Sequence, residues 1–257
     1  MHAERFESSL WQTSSLLLAR DGKAVLVDPC ITREEVARIA ARADELGARV
    51  VAILATHADW DHVCGIAAFP GAEALMGEGA AARVESGAAW ARIEEAAREY
   101  GLEVAGPPRV DGRLEVGTAQ RVGPFTVETL PLSGHTPDGV GYRVRELDLL
   151  VVGDHLSAIE FPFVSWPAAY RATLAALIDL LRRDPPVRVV AGHGPEHTAA
   201  EALAVAEADL DYLWCLHDAV LHGTDPPAPP RPASDDLAAA LDANLEAQRA
   251  ELGLLEA

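Results

Sequence analysis

Residues 51–62, VAILATHADWDH, decide how this chain is read. Residues 50–55 are a continuous apolar run, the mark of a strand buried between packed layers. The run ends in Thr56-His57-Ala58-Asp59-Trp60-Asp61-His62, so four potential metal ligands fall within six residues. Imidazole and carboxylate are ligands that divalent metals take, and a strand end is where such side chains can converge. The plain alternative is a polar loop with two incidental histidines. Four ligand-type side chains directly after a core strand speak against it, provided that the rest of the chain supplies partners.

Working outward toward the amino terminus, residues 14–19 and 24–28 read as a hairpin turning at Asp21-Gly22. Thr32 with Glu35 three residues on is a capping box. It opens a helix whose apolar stripe is Val36, Ile39, Ala43 and Leu46 and which Gly47 stops. After His62 a short helix is expected up to Pro70, and residues 79–100 read as helical with a break near Gly87. Strand-like pieces follow at 119–122 and 125–130, then the polar turn SGHTPDG at 133–139, then a hairpin of 140–145 and 148–153 that ends at Asp154. Pro167 begins a helix with Leu174, Leu177, Ile178 and Leu181 on one face. Residues 187–191 are a last strand running into Gly192-His193-Gly194, and a long helix spans about 196–222. Residues 1–223 thus form one domain with two loosely similar halves, 224–232 a stiff proline-rich linker, and 233–257 a final helix capped by Ser234 with Leu237, Leu241, Leu245 and Leu252 as its stripe. That helix packs either on its own domain or on the second subunit of a homodimer.

Composition narrows the function classes. Hydrophobic residues at 49% and charged residues at 24% are those of a soluble globular protein, and no apolar run reaches the ~18–20 residues of a membrane span. The net charge of −19, from 21 Lys and Arg against 40 Asp and Glu, disfavours nucleic acid and anionic lipid as partners and leaves a small-molecule substrate. No signal peptide is apparent, and Cys30, Cys64 and Cys215 form no disulfide framework, so a cytoplasmic location is expected.

Four predicted strands end in ligand-type residues: before His57 to His62, before His135, at Asp154, and before His193. Fold stability does not require histidine or aspartate at each of those ends. The set THADWDH, SGHTPDG, GDHLS and GHGP, in this order, resembles the metallo-β-lactamase-fold hydrolase superfamily over about residues 14–197. The resemblance implies an α+β fold, a four-layer αββα sandwich with additional C-terminal helices, and a dinuclear metal site between the sheets. Carried over by motif, His57 and His135 would belong to the first metal; Asp61, His62 and His193 would bind the second; and Asp154 would bridge both.

Asp59 is the departure, since most of the family has histidine there. Two divalent cations, three carboxylates and a bridging hydroxide sum to neutrality, whereas histidine at 59 would leave net positive charge. The site is therefore expected to be less electrophilic and more welcoming to oxygen-loving metals. Zinc is the first expectation, with iron or manganese as rivals. The implied activity is hydrolysis of a small ester, lactone or thioester by a metal-bound hydroxide, with Asp154 positioning the nucleophile and Asp61 relaying a proton. A di-iron redox enzyme, or a non-catalytic member that binds a metal or ligand, is the alternative. Among other residues, His155 and Trp60 are open between site and structure, Tyr170 reads as a helix-surface residue, and His197, His217 and His222 as structural. Phe161-Pro162-Phe163 with Trp166 is expected to form an apolar lip over the site.

Overall fold

The computed structural model describes residues 1–231 and 237–254. Its layering follows from strands that are apolar on both faces. In β2 (Ser14–Arg20), alternation sends Leu16 and Leu18 to one side and Leu17 and Ala19 to the other, and all four are buried. Such strands need cover on both sides. β1 (His2–Glu7), β2, β3 (Lys23–Val27), β4 (Arg49–Ala55), β5 (Glu73–Met76) and β6 (Gly112–Arg113) form a six-stranded sheet in sequence order. β7 (Ala119–Val122), β8 (Phe125–Pro131), β9 (Val140–Val144), β10 (Leu149–Val151) and β11 (Arg188–Val190) form a five-stranded sheet in the order β11-β10-β9-β8-β7. Between the sheets Leu16, Leu18, Val25, Val27 and Leu54 meet Phe125, Val127, Tyr142, Val144 and Val190.

The outer face of the first sheet is covered by α1 (Arg33–Glu45), α2 (Trp60–Val63), α3 (Glu78–Glu85) and α4 (Ala88–Tyr100), through Ile39, Val63, Val84 and Ile93 among others. The outer face of the second is covered by α5 (Pro167–Arg183) and α6 (Ala199–His222), through Leu174, Leu177, Leu213 and Leu216. The result is an αββα sandwich with the C-terminal helix α7 (Leu237–Glu251) added to it. None of the described helices is long and apolar enough to cross a membrane.

The capping box of α1 does more than start a helix. Glu35 accepts from the Thr32 amide at 3.0 Å, and also from the Ser8 hydroxyl at 2.9 Å and the Ser9 amide at 2.8 Å, so it ties the β1–β2 turn to α1. Burial alone would raise its carboxyl pKa, but the amides of Ser9, Thr32 and Ile31 outweigh it and bring the value down to about 2.

The structure departs from the sequence reading in several elements. β1 pairs with β2 over its whole length, yet HAERFE carries no apolar run, because an edge strand needs only one half-buried face. β5 and β6 were not anticipated either; at four and two residues they are too short to show a period. The helix after the motif begins inside it instead, with Asp59 as its N-cap residue, and only a 3₁₀ turn, Ile66–Ala68, follows. In α7 the buried residues include Asn244 and Gln248, one turn apart, with Ala240 and Leu245 beside them; the Ser234 cap lies outside the described residues.

Candidate metal centre

The four strand ends converge. β4 delivers His57 on the loop before α2, and α2 carries Asp61 and His62 in its single turn. His135 follows β8, Asp154 follows β10, and His193 follows β11, which pairs in parallel with β10. Asp154 sits at the middle. Its Oδ1 lies 3.1 Å from His62 Nε2, and its Oδ2 lies 3.2 Å from His135 Nε2, 3.3 Å from His193 Nε2 and 3.6 Å from His57 Nε2. Asp59 Oδ2 flanks one side, 3.4 Å from His135 Nε2 and 3.6 Å from His57 Nε2. Asp61 Oδ2 flanks the other, 3.3 Å from His62 Nε2 and 3.5 Å from His193 Nε2. Gly192 makes the approach of Asp154 possible: a Cβ there would lie 2.0 Å from Asp154 Oδ1. Gly134, at φ +132°, lets the His135 turn lie against the backbone of Tyr170, which a Cβ would meet at 2.4 Å.

All four imidazoles face the same way. Each turns Nε2 inward and engages Nδ1 outward: His62 donates to Asp28 Oδ2, His135 to the Phe163 carbonyl and His193 to the Trp11 carbonyl, each at 3.0 Å. His57 Nδ1 lies 3.0 Å from Thr56 Oγ1, whose own proton goes to Asp28 Oδ2 at 2.6 Å, so the threonine accepts from His57. In the neutral rings this outward set fixes one tautomer, with the Nε2 lone pair inward, the arrangement of metal-ligating histidines. Nε2 of His57, His62 and His135, and Oδ1 of Asp154, are buried without a hydrogen bond. Orphaned atoms of this kind are rare in folded proteins, and a divalent cation would satisfy them together. Three overlapping triads have ligand atoms within 4.8 Å of one another: His57, Asp59 and His135; Asp61, His62 and His193; and His57, His62 and Asp154.

The electrostatics favour positive charge here. Burial disfavours ionised Asp154, but the imidazoles of His62, His193, His57 and His135 hold its carboxyl well below the usual range. Burial likewise opposes charge on His193, yet Asp154 and Asp61 raise its pKa to about 9, and His62 and His135 are pushed well upward, chiefly by Asp154. His155 goes the other way, down to about 3 through burial and the neighbouring His135, so it stays neutral.

Three supporting residues escaped sequence reasoning. Asp28 gathers the Thr56 amide and hydroxyl and the His62 ring; its signal was present, since AVLVD is another strand ending in a carboxylate. Asp138 of the SGHTPDG turn accepts the Ala58 amide at 2.9 Å. Arg83, on α3, had no local signal; it reaches Asp59 Oδ1 at 2.7 Å and Asp138 Oδ1 at 2.8 Å. This last pair corrects the charge count made from the sequence, because a guanidinium draws on the carboxylate that was expected to neutralise the metals.

A cleft of about 530 Å³ opens over the cluster, walled by Trp11, Trp60 and Tyr100 on one side, with Arg83, Arg92, Glu160 and Phe163 around it. Trp60 is at once buried and part of this wall. Of the expected lip, Phe163 lines the cleft, whereas Phe161 is in the core and Trp166 is exposed on the surface. Tyr170 is not on the helix surface. It is fully buried, with its hydroxyl donating to the Asp154 carbonyl at 3.3 Å and its ring 4.5 Å from that of His155. His197 donates to the Leu156 carbonyl, the structural part expected of it.

A family model for the metallo-beta-lactamase superfamily matches residues 9–193. The chain belongs to this superfamily, a family of metal-dependent hydrolases. "Probable metallo-hydrolase YqgX" of Bacillus subtilis is 30% identical over 193 residues, 72% of this chain and 86% of that protein. "Hydroxyacylglutathione hydrolase GloC" of Haemophilus influenzae is 26% identical over 198 residues, covering 74% and 89%. Among solved structures, the metallo-beta-lactamase family protein TTHA1429 of Thermus thermophilus superposes with a TM-score of 0.72 at 20% identity, over 98% of this chain and 93% of that one. TTHA1623 in a di-iron-bound form superposes with a TM-score of 0.59 at 28% identity, over 77% and 96%.

Proposed function

We propose that this chain hydrolyses a small ester, lactone or thioester at a dinuclear metal centre. One metal would be held by His57, Asp59 and His135, the other by Asp61, His62 and His193, with Asp154 between them. The observation that carries this reading is the common orientation of the four imidazoles around Asp154, every Nε2 inward and every Nδ1 tied outward. Two divalent ions there would lower the pKa of bound water toward ~7 and polarise the attacked carbonyl.

The chain's own residues do the rest. Asp154 has both oxygens directed at the four rings, so it fixes the centre of the reaction between the two triads. Asp61 receives the Thr13 hydroxyl at 3.3 Å, which steadies its Oδ2 while the carboxylate faces the cleft as a proton relay. Arg83 holds the outer oxygen of Asp59 and so fixes which oxygen faces His57 and His135. Trp11, Trp60 and Tyr100, with ring centroids 5.2 to 5.9 Å apart, form an apolar face against which the substrate body can lie out of water.

Among the three substrate classes, the thioester is favoured by the relative named for hydroxyacylglutathione hydrolysis. Asp59 and the di-iron form of a 28% identical structure support iron or manganese beside zinc as the resident metal. The test is metal analysis of protein purified without a chelating tag, followed by turnover of ester, lactone, thioester and phosphodiester panels with zinc, manganese and iron. Two equivalents of metal and turnover of an ester or thioester are expected. One equivalent or none would end the dinuclear reading, and no turnover above Asp154→Ala on any panel would end the hydrolytic one.

A further inference from the structure

The family match ends at residue 193, yet the segment beyond it reaches back to the metal centre. Asn244 on α7 is buried, and both ends of its amide are used: Nδ2 donates to the Pro162 carbonyl at 2.7 Å, and Oδ1 accepts from the Val164 amide at 2.8 Å. The Val164 N–H belongs to the same peptide unit as the Phe163 carbonyl, which takes the Nδ1 proton of His135. A single rigid peptide plane therefore stands between Asn244 and a histidine of the cluster. Accepting the N–H side of that amide polarises it and strengthens its carbonyl as an acceptor.

Two further anchors hold the C-terminal segment in place. Arg231 donates to the Glu160 carbonyl at 2.9 Å and pairs with the buried Asp209 of α6. The far end of α7 is tied to α5, where Arg171 pairs with Gln248 and Glu251. Beside the clamp lies a second lobe of the cleft, about 350 Å³, lined by Asp59, Arg83, His135, Phe163, Ala243 and Asn244. The helix is thus both a support for the loop and a wall of the space next to His135.

We propose that the C-terminal arm is a working part of the site: Asn244 positions His135 through the Phe163–Val164 peptide, and α7 bounds the lobe that receives the acyl group. Asn244 is a positioning residue, and Ala243 limits acyl size; the second half of this proposal rests on the hydrolase reading. The first half does not depend on turnover, because it predicts a change in metal binding and in amide exchange.

The test uses the full chain. In Asn244→Leu, zinc titration by calorimetry should show one equivalent weakened about 10–100-fold, with the other unchanged and the protein still folded. Hydrogen exchange at Val164 should speed up. Asn244→Asp keeps the acceptor for that amide but replaces the donor to the Pro162 carbonyl with a second oxygen, so Val164 exchange should return toward wild type while affinity recovers only in part. Equal loss of both equivalents, unchanged binding, or Val164 exchange in Asn244→Asp as fast as in Asn244→Leu would overturn the positioning role. Ala243→Trp leaves the clamp intact and fills the lobe. It should lower kcat/KM for a hexanoyl ester at least several-fold against an acetyl ester; an unchanged ratio overturns the size role. If wild type turns over neither these esters nor the matching thioesters, the acyl lobe falls, while the hydrolase reading stands or falls by the full substrate panel, and zinc titration and exchange still decide the clamp.

Discussion

The two triads of the site use the same ligand types but are built differently. Asp61, His62 and His193 are at most 5% exposed, and two of their supports, Asp28 at the end of β3 and Thr13, are themselves buried, while the carbonyl of the exposed Trp11 in the β1–β2 turn takes the His193 proton. The triad of His57, Asp59 and His135 is more open, with the Asp59 and His135 side chains 30% and 15% exposed. Its carboxylate is shared with Arg83, and its outer histidine is held by the loop carrying Phe163. A carboxylate that faces a guanidinium donates less to a metal, and partly exposed ligands are held less firmly than buried ones. The same residue types can therefore make one tight corner and one adjustable corner.

Removing the residue common to both corners should have the largest effect. Asp154→Ala is expected to lose turnover to the level of the uncatalysed control and to retain at most one equivalent of metal; a variant that kept both would show that Asp154 bridges nothing. The comparison itself is tested by titrating metal into chelator-treated wild type. Two unequal affinities are expected, and Asp28→Asn should weaken the tighter one by about 10–100-fold through His62, and the looser one less, through Thr56 and His57. If Asp28→Asn weakens the looser equivalent more than the tighter, the assignment of the tight corner is reversed.

A smaller and opposite change is expected from Arg83→Met. Taking a cation from beside Asp59 should strengthen the looser equivalent several-fold and leave the tighter one as it is. A weakened looser site would mean that Arg83 serves mainly to orient Asp59. The smallest effect concerns the turn supporting the tight corner. The Glu35 carboxyl is lowered from 4.5 to about 2 in the folded chain, so its contribution to stability is present above pH 4.5 and is lost as pH falls through about 2. The Tm difference between wild type and Glu35→Gln should therefore shrink over that interval, and a constant difference would contradict it.

These contrasts explain what could be read in the chain. The contiguous motif from His57 to His62 was legible because a strand end brings its ligands in one stretch, and the capping box of α1 was legible because its partners are three residues apart. His135, Asp154 and His193 were legible only as a set, through the shared pattern of strand followed by ligand. Asp28 carried the same pattern but stood apart from any histidine, so its link to His62, 34 residues away, stayed hidden. α7 was read in part: Leu245 of the expected stripe packs against the core on the outer face of the second sheet, but Asn244 and Gln248 add hydrogen bonds that a leucine stripe does not announce.

By itself, the sequence determined where most strands and helices lie and which ligand-type residues end the strands, through hydrophobic period and local spacing. The layered fold and the departure at Asp59 were implied by the resemblance of its four motifs to the superfamily. The tertiary structure alone decided that Asp59 is shared with Arg83, that all four imidazoles turn Nε2 inward, and that the C-terminal helix reaches His135. The physical reason is that hydrogen bonds and charge pairs act over a few ångströms, whatever the distance along the chain, and leave no periodic trace in it.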